Sequence, residues 1–542
     1  MKKRFIKKPQ PITNKPVQGI VDLTDEYKES ICQVARLGKK GYIIPKSVLT
    51  KDDLEYLMKD LFVKPVTFGA GYGQESAAFP VFRENANKIY LPRFYGVARY
   101  GKPANSEIDE GDDISLAFIK PLRDYQENII DIYMKYVDNS ICSQSEQKGS
   151  GGILEVQCGA GKTVMALKIV SLVKKKTLII VHKEFLMNQW IERIAEFLPE
   201  AKVGKIQGQQ FDVEGKDIVI GMLQSLYDKE FPADAFSSFG LTIIDEVHRI
   251  GSEQFSRALF KTITPYMLGI SATVERKDKL TKVLYMFIGE KIYSKERTDE
   301  DQVSVRGIHY VASDKEFNEV ELDYRGNTKY STMITKLCEF GPRSDFIVRV
   351  IRDLIAEDDE KQIMVLCHNR SLLSYLFDSI VFRGFATVGY YVGGMKQKNL
   401  QETELKQIVL ATYAMAAEAL DIKTLSTLVM VTPKTDITQS VGRILRVKHA
   451  NPVIVDIVDA HDPFKKQWLQ RKRFYKKNQY AISEIDSIKY KDMMIGDFTL
   501  EPWKQTYKPT KNGKPECSGS DEEPAPKQCL INIEGLDLEN HQ

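Results

Sequence analysis

The sequence predicts an α/β protein in which two successive parallel sheets follow a smaller α+β domain and precede a polar tail. Three observations carry this. Apolar runs alternate with helix-compatible stretches: Ile153–Val156, Thr177–His182, Asp217–Met222, Leu241–Asp245 and Tyr266–Ser271. The alternation restarts at Gln362–Cys367 and continues through Ala386–Val392, Gln407–Thr412, Thr427–Thr432 and Pro452–Val458. Near-continuous apolar strands separated by helices imply parallel sheets covered on both faces. Third, a glycine-rich turn joins the first of these strands to a helix.

That turn is Val156-Gln157-Cys158-Gly159-Ala160-Gly161-Lys162-Thr163, followed by the apolar run Val164–Val173. Glycines let backbone N–H groups converge on an anion, and a helix N-terminus adds partial positive charge. Lys162 is then placed to reach terminal phosphates, and Thr163 to ligate Mg²⁺. Position 156 is Val where the strict phosphate loop has Gly. On this segment alone, an ordinary strand-to-helix turn with a solvated lysine stays open.

Residues 1–115 hold short β-prone runs split by Pro and Gly, read as an N-terminal α+β accessory domain. There Tyr90, Phe94, Tyr95 and Tyr100 interleave with Arg93, Arg99 and Lys102, a pattern that suits base stacking and phosphate contact or a partly buried sheet with a charged rim. The polar Asn105–Asp113 reads as a linker. Residues 116–300 and 301–480 are assigned to the two α/β units, and 481–542 to a C-terminal extension that is flexible toward its Pro-, Gly-, Ser- and acid-rich end. Residues 463–480 are basic and aromatic. At 542 residues and 43% hydrophobic content, each unit can bury an ordinary core. A net charge of +3 neither argues for nucleic acid nor excludes it. The seven cysteines are scattered without a CxxC pair, so no zinc site or disulfide frame is expected. A reducing compartment, cytoplasmic or nuclear, fits them. No apolar run approaches the ~18 residues of a membrane span.

The second chemical signal is Leu241-Thr-Ile-Ile-Asp245-Glu246-Val247-His248. A strand ending in adjacent carboxylates suits an NTPase: Asp245 would hold the metal and Glu246 would polarise the attacking water. A lone Asp-Glu pair is common as a cap beside a surface charge. In the same alternating sheet, after a phosphate loop, the nucleotide reading prevails.

With both signals in place, the chain resembles a superfamily 2 helicase or translocase with a DExH box, in which two RecA-like domains clamp ATP. The resemblance spans about residues 120–460 and its motifs occur in order. Arg123, Tyr125 and Gln126 match the adenine-reading motif. Gly159, Ala160, Gly161, Lys162 and Thr163 match motif I, and Asp245–His248 motif II. Ser271-Ala-Thr273 matches motif III, and Gln439-Ser-Val-Gly-Arg443-Ile-Leu-Arg446 motif VI. Motif V is Ala411-Thr412 with Glu418-Ala-Leu-Asp421-Ile422, where Ala419 replaces the usual Gly. The resemblance implies nucleotide contacts by Arg123, Gln126, residues 159–163, His248 and Asp421. It implies coupling through Ser271, Thr273 and Gln439, and transition-state charge neutralisation by Arg443 and Arg446. Lys183, Gln189, Gln224, Ser225, Asn369, Arg370, Gly393, Gly394 and Thr412 look like positions that grip the nucleic-acid backbone in relatives. The cofactors implied are ATP and Mg²⁺.

Within the superfamily, Leu122–Gln126 and Gly269–Arg276 are most similar to the group holding the transcription-factor helicase subunit, the phage recombination helicase and restriction-enzyme motors. The small preceding domain and Phe464–Tyr480 resemble helicases of large eukaryotic DNA viruses, including the poxvirus transcript-release type. That implies work in viral transcription, replication or repair, with transcription or replication proteins as partners, in host cytoplasm and in the virion. The expected activity is ATP-driven movement on nucleic acid, with DNA favoured as the track. A double-strand translocase, an RNA helicase acting on RNA or a hybrid, and an inactive nucleic-acid scaffold remain as alternatives.

Overall fold

The computed structural model describes residues 23–65, 77–137, 150–156, 160–232, 234–249, 253–276, 278, 280–294, 303–418, 422, 424–444, 449, 451–491 and 503–509. Both expected parallel sheets are present. The first has eight strands in the order Gln210–Phe211, Val203–Gln207, Ile218–Met222, Thr177–Val181, Leu241–Asp245, Tyr266–Ser271, Gly151–Glu155 and Lys291–Ser294. Its pairs are parallel except for the short Gln210–Phe211 edge. Register sets Asp245 opposite Ile270 and Ser271 opposite Glu155, so three neighbouring strands end along one edge. Thr177–Val181 and Leu241–Asp245 are buried at every position, which explains their unbroken apolar runs.

The second sheet also has eight strands, in the order Val388–Tyr391, Ile408–Thr412, Gln362–Cys367, Leu425–Met430, Val453–Asp459, Ser304–Tyr310, Ala481–Asp486 and Lys504–Tyr507. Only the last pairing is antiparallel. Ala481–Asp486 and Lys504–Tyr507 therefore add strands to this sheet. Ser304–Tyr310 lies outside the apolar runs from which the second sheet was expected. Its sequence, Ser-Val-Arg-Gly-Ile-His-Tyr, is too polar to read as a core strand. Tertiary partners resolve this: Arg306 forms a bidentate pair with Glu357 at 2.6 and 2.9 Å, and His309 Nε2 lies 2.7 Å from Glu484 Oε2. A Cβ at Gly307 would sit 2.9 Å from the Trp468 ring.

The basic, aromatic segment folds as the helix Asp462–Lys477. One face buries Phe464, Trp468, Arg471 and Tyr475, and Arg471 pairs with buried Asp456 at 2.6 and 2.9 Å. The other face exposes Lys465, Lys466, Arg473, Lys476 and Lys477. Phe185, on the helix Glu184–Phe197 of the first unit, packs against apolar clusters of both units.

The N-terminal part is α+β. Its five-stranded sheet runs Arg83–Glu84, Lys88–Leu91, Gly41–Pro45, Arg36–Gly38 and Asn105–Ser106, with helices Asp25–Val34, Lys51–Asp60 and Arg93–Tyr100. The aromatic and cationic cluster is used internally. The Tyr100 hydroxyl donates to Asp53 at 2.7 Å, the Tyr95 hydroxyl to Asp60 at 3.0 Å, and Arg99 pairs with Asp53. Arg93 is 4% exposed and leaves its own domain: it donates to the carbonyls of Thr264 at 2.7 Å and Pro265 at 2.9 Å and to the Ser150 hydroxyl. Those residues directly precede the strands Tyr266–Ser271 and Gly151–Glu155.

The expected linker is laced under the first sheet. Asp112 N–H donates to Ser238 O, Lys176 N–H to Asp112 O and Ile114 N–H to Lys174 O, at 2.8, 2.8 and 2.9 Å. Gly111, at φ +73°, lies so close to the chain that a Cβ would meet Gly240 N at 2.2 Å. The N-terminal domain is thus docked beneath the strands' amino ends. Arg93→Ala should leave buried acceptors unpaired and lower unfolding stability by about 2–4 kcal/mol. Urea unfolding measures this, and a change below about 0.5 kcal/mol, the scale of an ordinary surface substitution, would rule the clasp out as a stability element.

Candidate active site

Three strand ends build the site. After Gly151–Glu155 the chain turns through Ala160 and Gly161 into the helix Lys162–Val173. Gly161 has φ +84°, a left-handed conformation open to glycine at little cost, and a Cβ there would meet Gln126 Nε2 at 2.4 Å. The N-cap is Gly161, which has no side chain to cap the helix, and this suits its first N–H groups to an anion. Thr163 stands in the first helical turn and is partly exposed. Gly159 lies outside the described residues.

The adenine-motif residues hold the turn from behind. Gln126 is buried; its Oε1 accepts from Arg123 N–H at 3.0 Å and its Nε2 donates to Ala160 O at 3.0 Å. The Tyr125 hydroxyl donates to the same carbonyl at 3.0 Å and accepts from the Arg123 guanidinium at 3.2 Å.

The neighbouring strand delivers the carboxylates. Lys162 Nζ donates to Glu246 Oε1 at 3.2 Å. Glu246 itself has φ +51°, a conformation that costs a non-glycine residue about 1–3 kcal/mol and turns its side chain back toward the lysine. Asp245 Oδ2 accepts from the Trp190 indole N–H at 2.9 Å. His248 Nδ1 lies 3.2 Å from Glu246 Oε2, but its aligned partner is Ser271 Oγ at 2.8 Å, and Glu246 Oε2 is buried without a hydrogen-bond donor. Ser271 Oγ donates its single proton to Thr273 O at 2.6 Å, so the network assigns the imidazole proton to Nδ1 of His248. Arg276 donates to His248 O and pairs with Asp278.

The two carboxylates diverge electrostatically. Burial, and then the charge of Glu246, push Asp245 up to about 6. Burial opposes ionisation of Glu246 too, but Lys162 and His248 outweigh it and hold this carboxyl below the usual range. A helix whose N-cap is glycine, a lysine turned to a carboxylate and a carboxylate oxygen without an aligned donor suit a metal-bound polyphosphate. Among the described residues no group of three or more His, Cys, Asp or Glu could hold a metal alone, so a cation here would complete its shell with phosphate oxygens and water.

The second sheet gathers other expected residues at its strand ends. Asn369 caps the helix Arg370–Arg383 by accepting from Ser371 N–H at 3.1 Å. The exposed Arg370 donates to Gly393 O, Gly394 has φ +88°, and Thr412 ends the neighbouring strand. In the first unit, Lys183 stands at the N-cap of the helix Glu184–Phe197, which also carries Gln189. Gln224 is exposed, whereas Ser225 is buried and accepts from Gly208 N–H at 3.0 Å. Gln439 and Arg443 lie on the helix Thr438–Ile444, but their side chains, like Arg446 and Asp421 altogether, lie outside the described residues.

Comparison with known proteins meets this geometry. The family model described as "Type III restriction enzyme, res subunit" matches residues 119–276, the span that holds all three strand ends. A protein of Acanthamoeba polyphaga mimivirus described as "Putative ATP-dependent RNA helicase L396" is 34% identical over 478 residues, covering 85% of this chain and 89% of that one. The chain belongs to the superfamily 2 helicases. Within them it is also similar to African swine fever virus QP509L, which carries the same description, at 26% identity over 61% of this chain and 68% of the relative. An archaeal "DNA 3'-5' translocase XPB2" of Sulfurisphaera tokodaii is 33% identical over 38% of this chain and 43% of its own. As a superfamily 2 helicase it is an ATP hydrolase built on tandem RecA-like sheets. Among its described residues no helix is long and apolar enough to cross a membrane.

Two residues of this helicase site escaped the sequence reading. Trp190 carries no signal of its own in the sequence beyond its place in a helix-compatible stretch after Thr177–His182. Glu155 interrupts an apolar strand, the one available signal; it accepts from Val274 N–H at 2.8 Å, Lys291 at 3.1 Å and Ser294 at 2.5 Å, stapling motif III to the phosphate-loop strand. On the second sheet, desolvation of the ring beside Thr432 and then the charge of Lys434 lower the His368 imidazole to about 4, although the residue as a whole is exposed, so solvent screening makes its effect on stability small. Between that value and its ordinary value near 6.5 the unfolded chain binds a proton that the folded chain refuses. Stability should therefore fall as pH drops through this window, and His368→Gln should flatten the fall. Equal pH slopes of the urea midpoint in both proteins would exclude the effect.

Proposed function

We propose that this helicase is an ATP-driven motor that tracks DNA and separates or remodels strands as two RecA-like units close on the nucleotide. The observation that carries this is the convergence of Lys162, Asp245, Glu246 and Ser271 on adjacent strand ends, behind a helix whose N-cap is glycine. Lys162 would exchange its Glu246 contact for the β- and γ-phosphates. Thr163 and Asp245 would hold Mg²⁺, which when bound neutralises charge developing on the phosphates. Glu246, whose Oε2 has only the off-axis His248 Nδ1 at 3.2 Å, would orient the attacking water. Gln126 and Arg123 would read adenine, and His248, Ser271, Thr273 and Gln439 would carry the state of the site toward the domain interface. Arg443 and Arg446 would reach the phosphates from the second unit, and Asp421 would support the nucleotide there.

Lys183, Gln189 and Gln224 on one unit, and Asn369, Arg370, Gly393, Gly394 and Thr412 on the other, would face the sugar–phosphate backbone, whereas the buried Ser225 would hold the Gly208 turn beside them. Such gripping gives salt-dependent, sequence-tolerant binding. The division proposed is an accessory domain over 1–115, a nucleotide-binding unit over 116–300, and a second unit from 301 that extends past 480 to about 507, because the strands Ala481–Asp486 and Lys504–Tyr507 pair into its sheet. Kinship with virus proteins supports a role in viral transcription, replication or repair in the host cytoplasm. The names of the two viral relatives favour RNA as a second reading, and that of the archaeal relative favours DNA.

Lys162→Ala should abolish ATP turnover. Glu246→Gln should still bind ATP while its turnover falls by roughly 10²–10⁴. Near-normal hydrolysis by Glu246→Gln would remove the catalytic assignment. Steady-state ATPase of the full chain, with single-stranded DNA, duplex DNA, RNA and DNA–RNA hybrid at matched low salt, decides the track. Stimulation by RNA alone would overturn the DNA reading, and stimulation by duplex alone would favour translocation without unwinding.

A further inference from the structure

Trp190 heads the fully buried side chains of the described residues by size, at 1% exposure. Its ring belongs to the apolar cluster that also holds Met165, Ala166 and Ile169 of the phosphate-loop helix and Ile179 and Val181 of the adjoining strand. Packing alone would be served by any large apolar ring. The indole adds one donor and no acceptor, and that donor is spent on Asp245 Oδ2 in a buried 2.9 Å hydrogen bond. The Asp245 carboxylate also takes a backbone hydrogen bond from Glu246. An aspartate carboxylate rotates broadly about its last torsion, and two donors from fixed directions remove that freedom.

We propose that Trp190 is a positioning residue for the divalent cation of the ATP site, its indole N–H setting the Asp245 carboxylate in the orientation that receives the ion. This rests on the reading of Asp245 as the cation-holding carboxylate. Mg²⁺ demands near-ideal octahedral geometry, so a carboxylate tilted by loss of its partner is a poorer ligand even with its charge intact. Outer hydrogen-bond partners of metal ligands act in this way generally. The helix that carries Trp190 also carries Lys183 and Gln189, so one hydrogen bond ties the helix proposed to face nucleic acid to the ligand proposed to hold the ion.

The test uses the full chain with a non-hydrolysable ATP analogue and Mn²⁺ as the paramagnetic probe, its binding read by electron paramagnetic resonance. Wild type is compared with Trp190→Phe, with a chain carrying 3-benzothienylalanine at position 190, and with Asp245→Asn. Benzothienylalanine keeps the shape of the indole and replaces its N–H by sulfur, so it decides the matter if Trp190→Phe fails to fold. The expected result is Mn²⁺ affinity weakened about 10-fold in both Trp190 replacements, with metal-free binding of the analogue altered less than about 2-fold. Wild-type Mn²⁺ affinity in the benzothienyl protein, with weakened affinity in Asp245→Asn, would overturn the role of Trp190 alone. Wild-type affinity in Asp245→Asn would overturn the reading of the ATP site as well.

Discussion

The rest of the active site depends on two carboxylates being buried side by side at the end of a strand that is covered on both faces. Asp245 and Glu246 could not both stay ionised there without compensation. Lys162 supplies it for Glu246, and the Trp190 and Glu246 N–H groups partly for Asp245. The lysine comes from the helix after the phosphate loop and the indole from the next helix. Neutralising one strand end therefore fixes the relative positions of three elements. The glycine-rich turn is in turn backed by Gln126 and Tyr125, which tie the adenine-motif residues to Ala160 O.

The second sheet solves the burial of charge differently. Arg343 and Asp459 are fully buried and joined by bonds of 2.6 and 2.7 Å, with a third from Arg343 to Val431 O at 2.8 Å. Arg471 and Asp456 form the other pair, and Arg471 also reaches Lys434 O at 2.8 Å. Each pair joins a helix to a central strand and satisfies a backbone carbonyl. Breaking one partner of such a pair typically costs about 3–5 kcal/mol, whereas the intact pair adds little net stability. Their effect is thus to select one seating of each helix on the strand Val453–Asp459 and on Val431 and Lys434, in the segment that leads from Leu425–Met430 to the motif VI helix.

The accessory domain is wired to the same machinery from below. Arg93 grips the chain just before the strands that end in Ser271 and Glu155, and residues 111–114 pair with the chain beside Thr177 and Gly240. Contacts at Lys282–Asp60 and Arg83–Arg257 O, each 3.3 Å, extend the seam. Force applied to the accessory domain would therefore reach the amino ends of the strands whose carboxyl ends hold the nucleotide motifs.

Local pattern by itself determined the two parallel sheets, the strand-to-helix turn before Lys162 and the Asp245–Glu246 strand end, because apolar runs buried on both faces and glycine-rich turns leave their mark within a few consecutive residues. Only the tertiary structure decided what depends on distant partners. Ser304–Tyr310 is a strand because Glu357 and Glu484 satisfy its polar side chains, and Ala481–Asp486 and Lys504–Tyr507 belong to the second sheet because they pair in turn onto its edge. Arg93, Arg471 and Trp190 read as surface charge or plain core. Their hydrogen bonds reach residues 171 positions ahead, 15 behind and 55 ahead. No periodicity encodes such a bond: a buried guanidinium or indole donor must be satisfied, and only the fold determines which acceptor satisfies it.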